Sequence, residues 1–312
     1  MIRLITVDLG VRKIQVPVTE LVGKQPGKTL LLTAGMDGDE YASIDAAYEL
    51  IEEFSRRQDI HGNVITIPIV NIPGFEAKRD FNILDGKFPK SIFPGKDNGG
   101  PTERLIHWLF KNHISCTDVW IDLHGGALGE KLTPFVYMPQ TGRKDLDEKY
   151  QSILSFIPSP KILFDRHSQW SFRRLHKLEK LYIRSEAGYS SDRSRSYINY
   201  HKKVVLALMR YLKMIQGVSR KVNSLPVYSS IETYKAHMNG LWFPRPNSYE
   251  TIKKGQLLGT VQSMDGKKIQ EVISQVDGAY LWLKTAMSCI KGEMLIEIGT
   301  EKVTVSELLK QI

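Results

Sequence analysis

The feature that most constrains this chain is a repeated hand-over from short apolar runs to amphipathic stretches, confined to its first two thirds. Residues 29–35 (TLLLTAG) are apolar and stop at glycine; residues 40–57 follow with Ala42, Ala46, Ala47, Leu50, Ile51 and Phe54 at helical spacing. Residues 63–70 (NVITIPIV) are β-branched and read as a strand, and 102–112 (TERLIHWLFKN) as a helix with Thr102 the expected N-cap. Residues 117–123 and 181–185 are again strand-like, and 194–215 read as a long helix. This alternation predicts an α/β fold with a mixed, mostly parallel sheet flanked by helices. In such sheets ligands collect at the carboxyl ends of strands.

The pattern changes near residue 224. Beyond it, short β-rich runs are separated by Gly, Pro and Asn, which reads as a C-terminal all-β, barrel-like domain. The expected division is residues 1–222 and 223–312, joined through the basic stretch 217–224. Residues 255–259 (GQLLG) and 292–299 (GEMLIEIG) look like two copies of one hairpin-like unit.

Composition removes several classes. At 312 residues with 42% hydrophobic and 25% charged residues, the chain is neither disordered nor in need of staples. Cys116 and Cys289 are too few for a disulfide framework or a cysteine zinc module and read as buried apolar fillers. No apolar run approaches the ~20 residues of a membrane span, and the first residues lack the apolar stretch of a signal peptide. A soluble, cytoplasmic protein without a membrane partner is expected. The net charge of +9 is unevenly placed: residues 161–221 hold 15 Lys and Arg against four Asp and Glu. Nucleic acid, an anionic small molecule and a merely solvated surface all fit that excess.

Three places put acidic or imidazole side chains just after an expected strand: Asp37, Asp39 and Glu40; Asp122 and His124; and Glu186. A parallel sheet brings such ends to one rim. Asp37 and Glu40 entering a helix, with His124 from another strand end, supply three ligands of suitable hardness for zinc, leaving a fourth position for water. Glu186 would then be the free carboxylate that takes the water's proton. Each residue also has a plainer reading. Asp37 and Glu40 could form a capping box, His124 could be a satisfied core histidine, and Glu186 could pair with a basic neighbour.

The order of segments resembles the succinylglutamate desuccinylase/aspartoacylase family of the zinc carboxypeptidase clan, over about residues 25–300. The resemblance is carried by GMDGDE (35–40), NIPGF (71–75) with Arg79, Asp85-Gly86, FPG (93–95) and PTER (101–104). DLHGG (122–126), EAG (186–188), NGLW (239–242) and KGQLLG (254–259) continue it. It implies one zinc per subunit on Asp37, Glu40 and His124, Glu186 as catalytic carboxylate, and Arg79 steadying a carbonyl oxygen. The implied activity is hydrolysis of an amide in a small N-acylated amino acid or related compound. Asp37 stands where the family usually has His, which admits Mn2+ as the alternative metal. Lys90 and Ser91 stand where Asn and Arg are expected, so the fork that would grip a carboxylate is gone.

Lys90 and Arg174 are the candidates for binding an anionic substrate end, among the basic residues Arg166, Arg173, Arg174, His176, Lys177, Arg193 and Arg195 around Glu186. A helix face in solvent accounts for Lys202, Lys203, Arg210 and Lys213. Nearby aromatics (Trp170, Tyr182, Tyr189, Tyr197) admit base stacking, but no nucleic-acid motif accompanies them and no nucleic-acid partner is expected. The β domain resembles a biotinyl/lipoyl-type barrel, but its 276–279 hairpin has no lysine for attachment. Its expected role is to cover the pocket or to build a homo-oligomer. The rival readings are a non-catalytic binding protein and a peptide carboxypeptidase.

Overall fold

The computed structural model describes residues 1–166, 175, 178–222, 225–245, 251–304 and 307–308. A hairpin of β1 (Arg3–Asp8) and β2 (Lys13–Val22) precedes β3 (Gln25–Ala34), α1 (Tyr41–Arg56) and β4 (His61–Ile67). The short α2 (Ile72–Ala77), one 3-10 turn (Pro89–Ser91) and α3 (Pro101–Asn112) lead to β5 (Val119–His124) and β6 (Glu130–Pro139). Then come α4 (Lys144–Leu154), β7 (Ile162–Asp165), β8 (Leu181–Tyr189) and α5 (Arg195–Tyr211). The remaining strands are β9 (Pro226–Lys235), β10 (Gly240–Pro244), β11 (Leu257–Gln262), β12 (Lys268–Ile273), β13 (Ala279–Lys284), β14 (Ser288–Cys289) and β15 (Met294–Thr304).

One sheet takes eleven strands in the order β1-β2-β4-β3-β5-β8-β6-β13-β15-β9-β7. Parallel pairing joins β4, β3, β5 and β8 at its centre. The flanking pairs β1–β2, β2–β4, β8–β6, β6–β13, β13–β15 and β15–β9 are antiparallel. The sheet is therefore mixed and not mostly parallel, and three of its four central parallel strands, β3, β5 and β8, carry the candidate site toward their ends. Pairing of β7 with both β6 and β9 closes β6, β13, β15, β9 and β7 into a five-stranded barrel. A second sheet, β12-β11-β10-β14, packs Trp242, Leu258 and Val261 against Tyr280, Leu295 and Ile298 of the barrel. The two similar glycine units each place a glycine at positive φ, Gly255 (+85°) and Gly292 (+87°), two residues before a strand. A side chain would strain both turns.

Strand phase decides what faces what. Leu30, Leu32, Ala34, Val119, Ile121, Leu123 and Ile183 meet α1, α4 and α5 on one face. Leu31, Trp120 and Tyr182 meet α3 and the N-terminal hairpin on the other. Both faces are apolar, which is why β3 and β5 read as continuous apolar runs. Side chains alternate along a strand, so Asp122 and His124 follow Trp120 onto the α3 face, and Arg184 and Glu186 follow Tyr182. Ser185, in phase with Ile183, points to α5.

The expected N-cap at Thr102 is displaced. Gly100 is the N-cap of α3, Glu103 Oε2 accepts from its N–H at 3.1 Å, and Thr102 instead donates both N–H (3.0 Å) and Oγ1–H (2.5 Å) to Asp85. The helix expected over 194–215 ends at Tyr211.

Candidate metal and catalytic site

Three strand exits meet on one rim because their backbones interlock. After β3, Gly35 takes φ +61°, and Val70 and Asn71 donate to Ala34 and Gly35 carbonyls at 3.1 and 2.9 Å. Gly38 donates to the Arg79 carbonyl at 3.0 Å, and a Cβ there would lie 2.1 Å from Phe75 N. After β5 and β8 a Cβ on Gly188 would lie 2.2 Å from Gly126 N, so these exits also pack backbone to backbone. Asp39 Oδ2 ties the first exit to the second by accepting from Leu128 N at 2.9 Å.

The residues so gathered are Asp37, Glu40 and His124, all buried, with donor atoms within 4.8 Å of one another. The capping alternative for the first two does not survive: Glu40 is itself the N-cap of α1 and its side chain makes no cap bond. His124 Nε2 lies 3.0 Å from Asp122 Oδ2, so that nitrogen carries the proton it donates to the carboxylate. Nδ1 is left facing Glu40 Oε2 at 3.0 Å and Asp37 Oδ2 at 3.5 Å. A lone pair pointed at two carboxylates requires positive charge between them, a proton or a cation. Zinc bonds of about 2.1 Å at tetrahedral angles would set ligand atoms about 3.4 Å apart, which matches these separations. Asp37 Oδ1 and Glu40 Oε2 are, moreover, buried without a hydrogen bond among the described residues. The donor set therefore fits a divalent metal of borderline hardness.

Asp122 is held in turn. Its Oδ1 accepts from Thr33 Oγ1 at 2.5 Å, and Thr33 accepts from Trp120 Nε1 at 2.7 Å. A carboxylate fixing the far nitrogen of a ligand imidazole is the usual outer support of a metal site. Burial opposes charge on His124, but Asp122 and Glu40 outweigh it and raise its proton affinity well above the ordinary value. Burial likewise pushes Glu40 well up, with Asp37 adding and His124 opposing. Burial would push Asp37 up too, but Lys90 and His124 prevail and hold it below the usual carboxylate range.

Glu186 lies in register beside His124 on the adjacent strand. Its Oε1 is bound by Arg184 Nε at 2.8 Å, and the guanidinium lies 4.7 Å from the Tyr137 ring centre. Lys90, on the 3-10 turn, forms an ion pair with Asp37 Oδ2 and lies 5.8 Å from the Phe88 ring centre. Arg79 contributes its carbonyl to the Gly38 turn; its side chain is exposed, with Nη1 3.3 Å from Lys78 O. Glu130 stands near Lys90, and burial pushes its carboxyl up to about 7 against the pull of Lys90 and a hydrogen bond from Trp282. Arg174 lies outside the described residues, as do Trp170, Arg173, His176 and Lys177.

Residues 26–212 match the succinylglutamate desuccinylase/aspartoacylase catalytic domain. The chain belongs to this family. Among curated relatives, N-alpha-acetyl-L-2,4-diaminobutyric acid deacetylase from Halomonas elongata is 35% identical over 122 residues, 39% of this chain. The match spans only 35% of that enzyme's length. The fold is shared with a succinylglutamate desuccinylase/aspartoacylase from Rhodobacter sphaeroides (TM-score 0.84, 19% identity, 96% of this chain and 94% of the other). It is also shared with the product-bound ectoine utilization protein EutE (DoeB) from Ruegeria pomeroyi (TM-score 0.82, 19% identity, 92% and 90%).

Within this desuccinylase/aspartoacylase chain, sequence reasoning gave no role to Asp122 or Arg184. Each sits two residues before a candidate site residue, which on a strand means the same face, and that spacing was a usable signal. Much of the basic excess is absorbed elsewhere. Arg193 pairs with Asp45, Arg195 with Glu49, Lys202 with Glu49 and Glu53, and Arg166 with Glu301. Among the described residues no helix is long and apolar enough to cross a membrane.

Proposed function

We propose that the protein is a metal-dependent deacylase that hydrolyses the amide bond of a small N-acylated amino acid or related compound. The observation that carries this reading is the convergence of Asp37, Glu40 and His124 donor atoms beside Glu186 on the neighbouring strand. Zinc, or Mn2+ as the alternative, would be held by these three residues, and when bound supplies Lewis acidity toward the amide carbonyl and an acidified water.

The chain's own groups do the rest. Asp122 orients His124 so that Nδ1 stays a lone-pair donor. Glu186 takes the proton of the attacking water and delivers it to the leaving nitrogen. Arg184, paired with Oε1, holds that carboxylate in place. Arg79, whose carbonyl holds the Gly38 turn, is assigned the developing oxyanion. Lys90 is engaged by Asp37, so an anionic substrate end falls to Arg174. The deacetylase from Halomonas elongata, whose name gives an N-acetylated diamino acid as substrate, supports the substrate class.

The test is turnover of a panel of N-acyl amino acids by protein loaded with Zn2+ or Mn2+, with chelated protein and Glu186→Gln as controls. Metal-restored hydrolysis that Glu186→Gln loses is expected; full activity in Glu186→Gln, or in rigorously metal-free protein, sinks the mechanism. A second reading, ligand binding without turnover, draws on the cations already paired with Asp37 and Glu186. Binding of panel members without any hydrolysis by the loaded protein would favour it.

A further inference from the structure

The two oxygens of Asp37 live in different surroundings. Oδ2 carries the ammonium of Lys90, which arrives from the 3-10 turn 53 residues away in sequence. Oδ1 is buried and has no hydrogen-bonding partner among the described residues. Glu40 and Asp122, the other carboxylates touching His124, have no such cation on them among the contacts of the described residues. The oxygen that Lys90 holds is also the one 3.5 Å from His124 Nδ1, so the lysine charge bears directly on the ligand atom that faces the metal position.

We propose that Lys90 is a charge-compensating positioning residue of the metal centre. It holds Asp37 Oδ2, the oxygen that faces His124 Nδ1 at 3.5 Å, and cancels that ligand's negative charge. The Asp37–Lys90 pair then presents a donor of no net charge, as an imidazole does. The donor set keeps enough positive character to polarise a carbonyl despite its two carboxylates. This rests on the metal-site reading above and deepens it.

Charge arithmetic makes the proposal testable through metal affinity, independently of turnover. Dissociation constants for Zn2+ are measured by chelator competition on the full chain, with circular dichroism confirming that each variant is folded. Lys90→Met removes the positive charge and should tighten binding about tenfold or more. Asp37→His, which leaves Lys90 uncompensated, should weaken it by a similar factor. Asp37→His combined with Lys90→Met restores the wild-type formal charge and should return affinity to within a few fold of wild type. Lys90→Arg should stay close to wild type. Lys90→Met with unchanged or weaker affinity, a double variant no tighter than Asp37→His, or Lys90→Arg shifting as far as Lys90→Met each overturns the inference while leaving the metal site standing. Wild-type protein that binds neither Zn2+ nor Mn2+ overturns both together.

Discussion

His124 and His201 are equally buried and flank the same stretch of β8, yet their proton affinities move in opposite directions. His124, on the α3 face, is surrounded by Asp37, Glu40 and Asp122 and is drawn toward positive charge. His201, reaching from α5 to the opposite face, has neutral hydrogen-bond partners among the described residues: Ser185 Oγ at 2.9 Å and the Ala187 carbonyl at 3.2 Å. Burial pushes its pKa down to about 4. Nε2–H donates to Ala187, so Nδ1 accepts from Ser185. One face of β8 thus concentrates charge for chemistry, and the other excludes it and anchors the strand that carries Glu186. What separates them is company, not depth.

The largest expected effect tests the charged face. Glu186→Gln keeps shape and removes the proton acceptor, so deacylation should fall by about 10²–10⁴-fold with metal content unchanged; loss of the metal as well would mean Glu186 is a ligand. Next comes the neutral face. His201 binds its proton below about pH 4 when folded, but at about 6.5 when unfolded. The unfolded chain therefore holds more protons between these values, and stability falls as pH drops from about 6.5 to 4. The expected loss is about 3 kcal/mol, read as the excess pH slope of wild type over His201→Gln in denaturant titrations at pH 7 and pH 4. Equal slopes would show that His201 is not held neutral.

A smaller effect probes the support of the metal ligand. Asp122→Asn removes the charge behind His124 and should weaken metal binding about 10–100-fold, by chelator competition. The smallest comes from the outer surface. Arg193 pairs with Asp45 at an exposed site, so Arg193→Ala should cost at most about 1 kcal/mol in a melting experiment and leave turnover intact.

The central elements were legible because buried parallel strands are apolar throughout and the helices between them are amphipathic. Asp37, Glu40 and His124 were legible because they follow strand ends that a parallel sheet must align. Other parts carry weaker marks. β1 is largely exposed, β6 mixes half-buried polar residues with two prolines, and β7 has only four residues. Lys90 reads as a substrate contact from its place before the FPG segment; its pairing with Asp37 has no local mark, because only the folded chain brings its turn over the β3 exit. The basic stretch suggested an anionic ligand, but its partners Asp45, Glu49 and Glu53 lie on α1, about 150 residues earlier in the chain.

The closed barrel has a consequence for the order of assembly. Two of its five staves, β6 and β7, are synthesised long before β9, β13 and β15. Until those later strands emerge, β6 and β7 display unpaired edges, the kind of template on which chains stick to one another. Contacts so distant in sequence also form slowly. The nascent chain must therefore keep an open seam next to its reactive rim until β15 has emerged, and refolding yield should track how quickly β9, β13 and β15 close it.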